Sequence, residues 1–294
     1  MVFAIWCLYA YLSFIQSPEA LTGRYGIGAS STLLIRMSVA LPLLGIWLAG
    51  LCGFASFLDY ADLIKKSWEG KAFRSIGYGL LVLLASSMLT SLASAVWQHY
   101  AKDVPGLLPS YTILRNYLTI ALSLLAYWFV YSGSRELLVA GSAKRLETAV
   151  IAPFILFSVF YAILVLQSPY RTVSDNPLIV PTYFLSDALI VTTVILPYVI
   201  TWLYGLLAVL NIWLFGQGVK GKLYRDALRP FIIGFTIVIL LSVFLQVIKL
   251  FSGFFSTLGL GTLLVIVYVL VAVIAAGNLL IADGAKRLKE FEAV

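Results

Sequence analysis

Charge is scarce in this chain, and the side chains that most often carry chemistry are scarcer still. Only 11% of its 294 residues are charged, against about 25% in a soluble domain. It has one histidine, His99, and two cysteines, Cys7 and Cys52, both in apolar segments. Those numbers exclude a disulfide framework, a Cys-x-x-Cys redox pair, bis-histidine haem ligation and a conventional zinc cluster. No paired membrane carboxylates and no Ser/His/Asp set offer proton pumping or hydrolysis. Residues 216–222 imitate a phosphate-binding loop, but Leu223 stands where a Ser or Thr must hold Mg²⁺. The sequence therefore implies no cofactor, no metal and no catalytic residue.

What is abundant is hydrocarbon. The chain is 62% hydrophobic, with a mean hydropathy of +1.00, which places it in a membrane. Runs near the 20 residues that cross a bilayer occur at 2–16, 32–57, 74–97, 111–132, 148–167, 185–214, 230–252 and 257–283. The first is short, so either it lacks an opening turn or the natural start lies upstream of Met1. A cleaved signal peptide fits poorly, because no basic stretch precedes the apolar run. The net charge of +7 comes from basic residues spread over short loops. That spread points to topology and to anionic lipid headgroups, not to nucleic acid.

The chain also reads as one half written twice. At an offset of 155, Pro42 falls on Pro197, Trp47 on Trp202, Gly50 on Gly205, Arg74 on Arg229, Gly79 on Gly234 and Ser87 on Ser242. Outside that block, Gln-Ser-Pro at 16–18 recurs at 167–169, and the Leu-Leu stretch at 137–146 recurs at 279–288. A repeat this long organises a whole fold. The expectation is an all-α, polytopic integral membrane protein of eight transmembrane helices, arranged as two parallel four-helix repeats, 1–147 and 148–294.

Fourteen Lys and Arg lie in the loops 58–74, 133–147 and 215–229 and in the tail, while the opposite loops hold only Arg24, Lys102 and Arg171. The positive-inside rule places both termini in the cytoplasm, facing anionic headgroups, most simply at the plasma membrane. An even number of spans per repeat returns the chain in the same orientation, so the repeat axis runs along the membrane normal.

Loops this short leave chemistry to the helices. In the seventh helix Ser242, Gln246 and Lys249 share one face, and the aligned face of the third carries Ser87, Ser91 and Ser94. Polar groups in hydrocarbon need partners or water, so both stripes face protein. Close helix packing explains small residues there; a polar cavity explains Gln246 and Lys249. Pro42 and Pro197 predict matched kinks. Arg36, Arg115, Asp187 and Lys249 fall in one outer layer, either snorkelling to headgroups or lining a vestibule for an anionic small molecule or lipid. Two functions follow: a permease or small-molecule/lipid-handling protein with its site between the repeats, or a non-catalytic membrane subunit that scaffolds a complex.

Overall fold

The computed structural model describes residues 1–12, 33–96, 108–138, 196–219, 221–250 and 260–292. Among them every regular element is helical. In chain order these are α1 (Val2–Ala10), α2 (Leu33–Leu63), α3 (Trp68–Val96), α4 (Leu108–Leu138), α5 (Leu196–Gly218), α6 (Lys222–Leu250) and α7 (Leu260–Glu292). Five of them, α2, α3, α5, α6 and α7, are long and apolar enough to cross a membrane. The expected fifth span, 148–167, and the segment 185–195 with Asp187 lie outside the described residues.

The helices run well past their apolar windows. The 31 residues of α2 span roughly 46 Å against a hydrocarbon core of about 30 Å. The expected basic loops shrink accordingly: residues 64–67 join α2 to α3, and 219–221 join α5 to α6. Lys71, Arg74, Arg135, Lys222, Arg225, Arg229 and Lys289 are therefore helical and not in loops. Hydropathy marks where the lipid ends, whereas a helix ends where its backbone is capped. Lys, Arg and Glu are good helix formers in water. Ser67 supplies one such cap: its Oγ accepts from the Gly70 amide at 2.9 Å and donates to the Ile64 carbonyl at 2.8 Å. Of the two prolines expected to match, Pro197 falls at the edge of the described residues. Pro42 and Pro230 lie inside α2 and α6, while Pro197 is the second described residue of α5.

Two compact units can be described. The first takes in residues 1–44, 85–122 and 148–198. In it the Trp6 indole donates to the Ala40 carbonyl at 2.9 Å, tying α1 to α2. The second takes in 45–84, 123–147 and 199–294. Its core is aromatic: Phe57 and Phe231 stack with ring centroids 4.3 Å apart, and Phe73 meets both edge-on. α5 shows the sorting of faces. Leu203, Leu206, Leu207, Leu210, Trp213 and Leu214 are exposed at three- and four-residue spacing, while Thr201, Ala208 and Ile212 are buried. A soluble protein rarely tolerates such a stripe; a bilayer solvates it.

With no hydrophobic drive between helices in lipid, association rests on close packing over small residues. In the second unit a Cβ added at Gly79 would meet the Ala126 carbonyl and the Val130 amide, and one at Gly234 the Gly277 carbonyl and the Ile281 amide. A Cβ at Gly133 would meet the Ile76 amide, and one at Gly284 the Phe231 amide. The residues of α3 and α6 in these contacts are 155 positions apart, and those of α4 and α7 are 151 apart. The α3–α4 and α6–α7 crossings thus use the same positions in the same way. Gly234→Val is expected to lower stability in detergent by about 1–3 kcal/mol, the usual cost of overpacking. Gly45, with nothing within 4 Å of an added Cβ, is the control. Denaturation of Gly45→Ala should match or slightly exceed the parent.

Candidate functional site

The residues singled out from sequence fare unequally. Ser242 is half-buried in α6, and its hydroxyl lies beside that of Tyr127 on α4. Gln246 and Lys249 follow it one and two turns along the same helix, although their side chains lie outside the described residues. Ser87 and Ser91 are half-buried on α3 in the first unit; Ser94, Arg36 and Arg115 are placed as helical backbone only, and Asp187 is not described. The structure therefore joins Ser242 to a tyrosine the stripe pattern did not include. The expected outer charged layer of Arg36, Arg115, Asp187 and Lys249 lies outside the described side chains.

Around Tyr127 the packing is close. Its ring carbons would lie 2.7 and 3.0 Å from a Cβ at Gly205, so glycine in α5 lets the ring lie against that helix. The residue is fully buried, and its hydroxyl makes no hydrogen bond of good geometry among the described residues. A second site has the same construction. Asn278 of α7 is 2% exposed, its Oδ1 has no hydrogen-bond partner among the described residues, and its Nδ2 would lie 3.5 Å from a Cβ at Gly50 of α2. At Gly53 the Asn278 backbone carbonyl takes the space a side chain would need. Gly50 and Gly205 are 155 positions apart, Tyr127 and Asn278 151 apart. Each glycine thus receives a buried polar side chain from the sequence half it does not belong to. A buried polar atom without a partner costs about 1–3 kcal/mol and asks for an explanation.

Neither Tyr127 nor Asn278 stood out in the sequence, because single polar residues in apolar helices are common. The signal was their spacing relative to the glycine pair, visible only once α4 and α7 are known to receive those glycines. Other polar side chains of these helices are paired: Asn211 donates to Ser134 Oγ at 3.2 Å, and Trp213 to Thr236 Oγ1 at 2.9 Å.

A separate cleft of about 420 Å³ opens at the ends of the helices that carry the basic residues. Its wall is Leu137, Leu138, Leu214 and Phe215, and its polar lining comes from Glu69 and Tyr224.

An all-helical chain with five helices long and apolar enough to cross a membrane is compatible with one class, the multi-pass helical membrane proteins. No family model, no curated protein and no solved structure matches the chain.

If the Tyr127 hydroxyl contributes nothing to folding, Tyr127→Phe should leave stability within about 1 kcal/mol of the parent or raise it. Chemical denaturation in detergent reads this directly. A loss of about 2 kcal/mol or more would mark the hydroxyl as a structural bond.

Proposed function

We propose that this protein is a permease or a small-molecule/lipid-handling protein of two four-helix repeats, 1–147 and 148–294, with its site at the interface between them. The observation that carries the proposal is the matched pair of buried polar side chains, Asn278 against Gly50 and Tyr127 against Gly205. A two-fold axis along the membrane normal exchanges these contacts, because it maps the first half onto the second and back again. The repeated crossings at Gly79 and Gly234 and at Gly133 and Gly284 support the same axis. Their offset of 151 replaces the 142 suggested by the recurring Leu-Leu stretch.

Duplicated membrane proteins place their sites at such interfaces, near the middle of the bilayer. From Ser242 the polar stripe continues through Gln246 to Lys249 toward the expected outer leaflet. There Lys249 would receive an anionic small molecule or lipid. The competing reading, a scaffold subunit, draws support from the dense aromatic core around Phe57, Phe73 and Phe231.

Water access separates the two. With Cys7 and Cys52 replaced by Ser, Ser242→Cys and Asn278→Cys should react with a small aminoethyl thiosulfonate much faster than Ala208→Cys, which is fully buried. Equal slowness at all three positions would leave a sealed centre and favour the scaffold. The orientation has its own test. Lys66→Cys and Lys289→Cys should label only after cells are opened, whereas Lys102→Cys should label from outside. External labelling of Lys289→Cys would overturn the even number of spans, and the parallel repeats with it.

A further inference from the structure

The cations at the basic helix ends are not all used alike. Arg74, Lys286, Arg287 and Lys289 each hold a carboxylate: Asp62 at 2.9 Å, Glu290 at 3.9 Å, Asp283 at 2.8 Å and Asp59 at 3.5 Å. Lys65, Lys66, Lys71, Lys222, Arg225 and Arg229 are exposed, and none takes part in an ion pair among the described residues. These six form two patches. Lys65 and Lys66 lie in the turn before α3, and Lys71 in the first turn of that helix. Lys222, Arg225 and Arg229 follow one another at spacings that share a face of α6. Each patch also includes one carboxylate, Glu69 or Asp226, so its positive charge is only partly offset. Helix stability does not account for the placement, because the peptide dipole disfavours cations near a helix start.

Each patch exposes a large apolar side chain beside its cations. Trp68, 44% exposed, is the first residue of α3, and Leu223, 76% exposed, is the second of α6. They are 155 positions apart, so both sequence halves present the same combination. At the edge of a bilayer such side chains enter the acyl region while neighbouring Lys and Arg reach the headgroups. The apolar exterior leads to both places: Leu48 and Leu51 are exposed on α2, which runs into the first turn, and Leu210 and Leu214 on α5, which runs into the second. Glu69 and Tyr224 line one cleft, so the two helix starts lie at the same end of the second unit.

We propose that each patch holds one anionic phospholipid. In the first, Lys65, Lys66 and Lys71 take the phosphate and Trp68 lies against the acyl chains. In the second, Lys222, Arg225 and Arg229 take the phosphate and Leu223 the chains. Charge selects an anion, and the apolar side chain selects a lipid over an acidic peptide, which would leave Trp68 and Leu223 in water. General attraction of a basic face to the leaflet would draw on Lys286, Arg287 and Lys289 as well, but their own carboxylates already offset them. The inference rests on the membrane assignment and not on the polar pair at Asn278 and Tyr127, so either can fail alone.

The test offers the full chain, in detergent, phosphatidylglycerol and phosphatidylcholine at equal concentration and counts retained lipid by native mass spectrometry. Two molecules of phosphatidylglycerol should be retained in preference to phosphatidylcholine. Lys65→Gln, Lys66→Gln and Lys71→Gln together should weaken one of them at least roughly tenfold, since each such cation at an anionic surface is worth a factor of about five. Lys222→Gln, Arg225→Gln and Arg229→Gln together should weaken the other. Both triple variants should melt with the parent, because the six side chains are exposed and hold no ion pair. Replacing Lys65, Lys66 and Lys71 by Arg should keep the lipid, which separates loss of charge from loss of fold. Lys286→Gln, Arg287→Gln and Lys289→Gln together remove the same charge from paired cations and should leave both lipids bound. Trp68→Ser and Leu223→Ser should each weaken retention at their own patch. Equal retention of the two lipids by the parent would overturn the proposal. So would equal losses from all three Gln triples, which would reduce the effect to net charge. Displacement of phosphatidylglycerol by a poly-glutamate peptide, with Trp68→Ser and Leu223→Ser silent, would replace the lipid with an acidic protein partner.

Discussion

Close approach of helix backbones is the constraint on which the second unit depends. In hydrocarbon a helix satisfies its own amides and carbonyls, and lipid tails solvate leucine as well as another helix does. What remains to hold helices together is contact over small residues and a few interhelical polar bonds. Gly53, Gly79, Gly133, Gly234 and Gly284 each admit a backbone atom of the neighbouring helix where a Cβ would stand. The large side chains are sent either to the aromatic core or to the lipid face, as the two sides of α5 show. Remove the glycines and the core rings lose the spacing that lets Phe57 and Phe231 stack at 4.3 Å.

The same constraint locates the proposed site. Where glycine allows a neighbour in, the neighbour need not be apolar. Tyr127 and Asn278 enter at Gly205 and Gly50 and carry buried oxygens with them. A core built for stability alone would use Phe and Leu at those positions at no cost in volume. Polar atoms at those two positions, 151 residues apart in sequence, are what the proposed site rests on.

At the basic helix ends the physics changes from packing to charge. The overhanging turns carry Lys and Arg, which suit anionic headgroups, yet Glu69 and Tyr224 line one cleft there. At an offset of 155, Glu69 aligns with Tyr224 and Tyr60 with Phe215. Under the proposed two-fold axis the cleft therefore lies where equivalent residues of the halves face each other, with different chemistry on each side.

Composition and periodicity alone determined that the chain is helical and suited to a membrane, because a long apolar run has few other stable outcomes in water or lipid. They also marked Gly79, Gly234, Gly50 and Gly205 as paired positions, and the positions of Lys and Arg indicated which helix ends group together. Helix limits were not legible: hydropathy falls at the edge of the lipid, while α2 and α6 keep their hydrogen bonding beyond it. Nor were the partners of the glycines, since a helix face names no neighbour until the crossing exists. Tyr127 beside Ser242 and Asn278 against Gly50 are meetings of residues far apart in sequence. Only the tertiary structure decided them, because the register of one helix on another is set by where both backbones can touch.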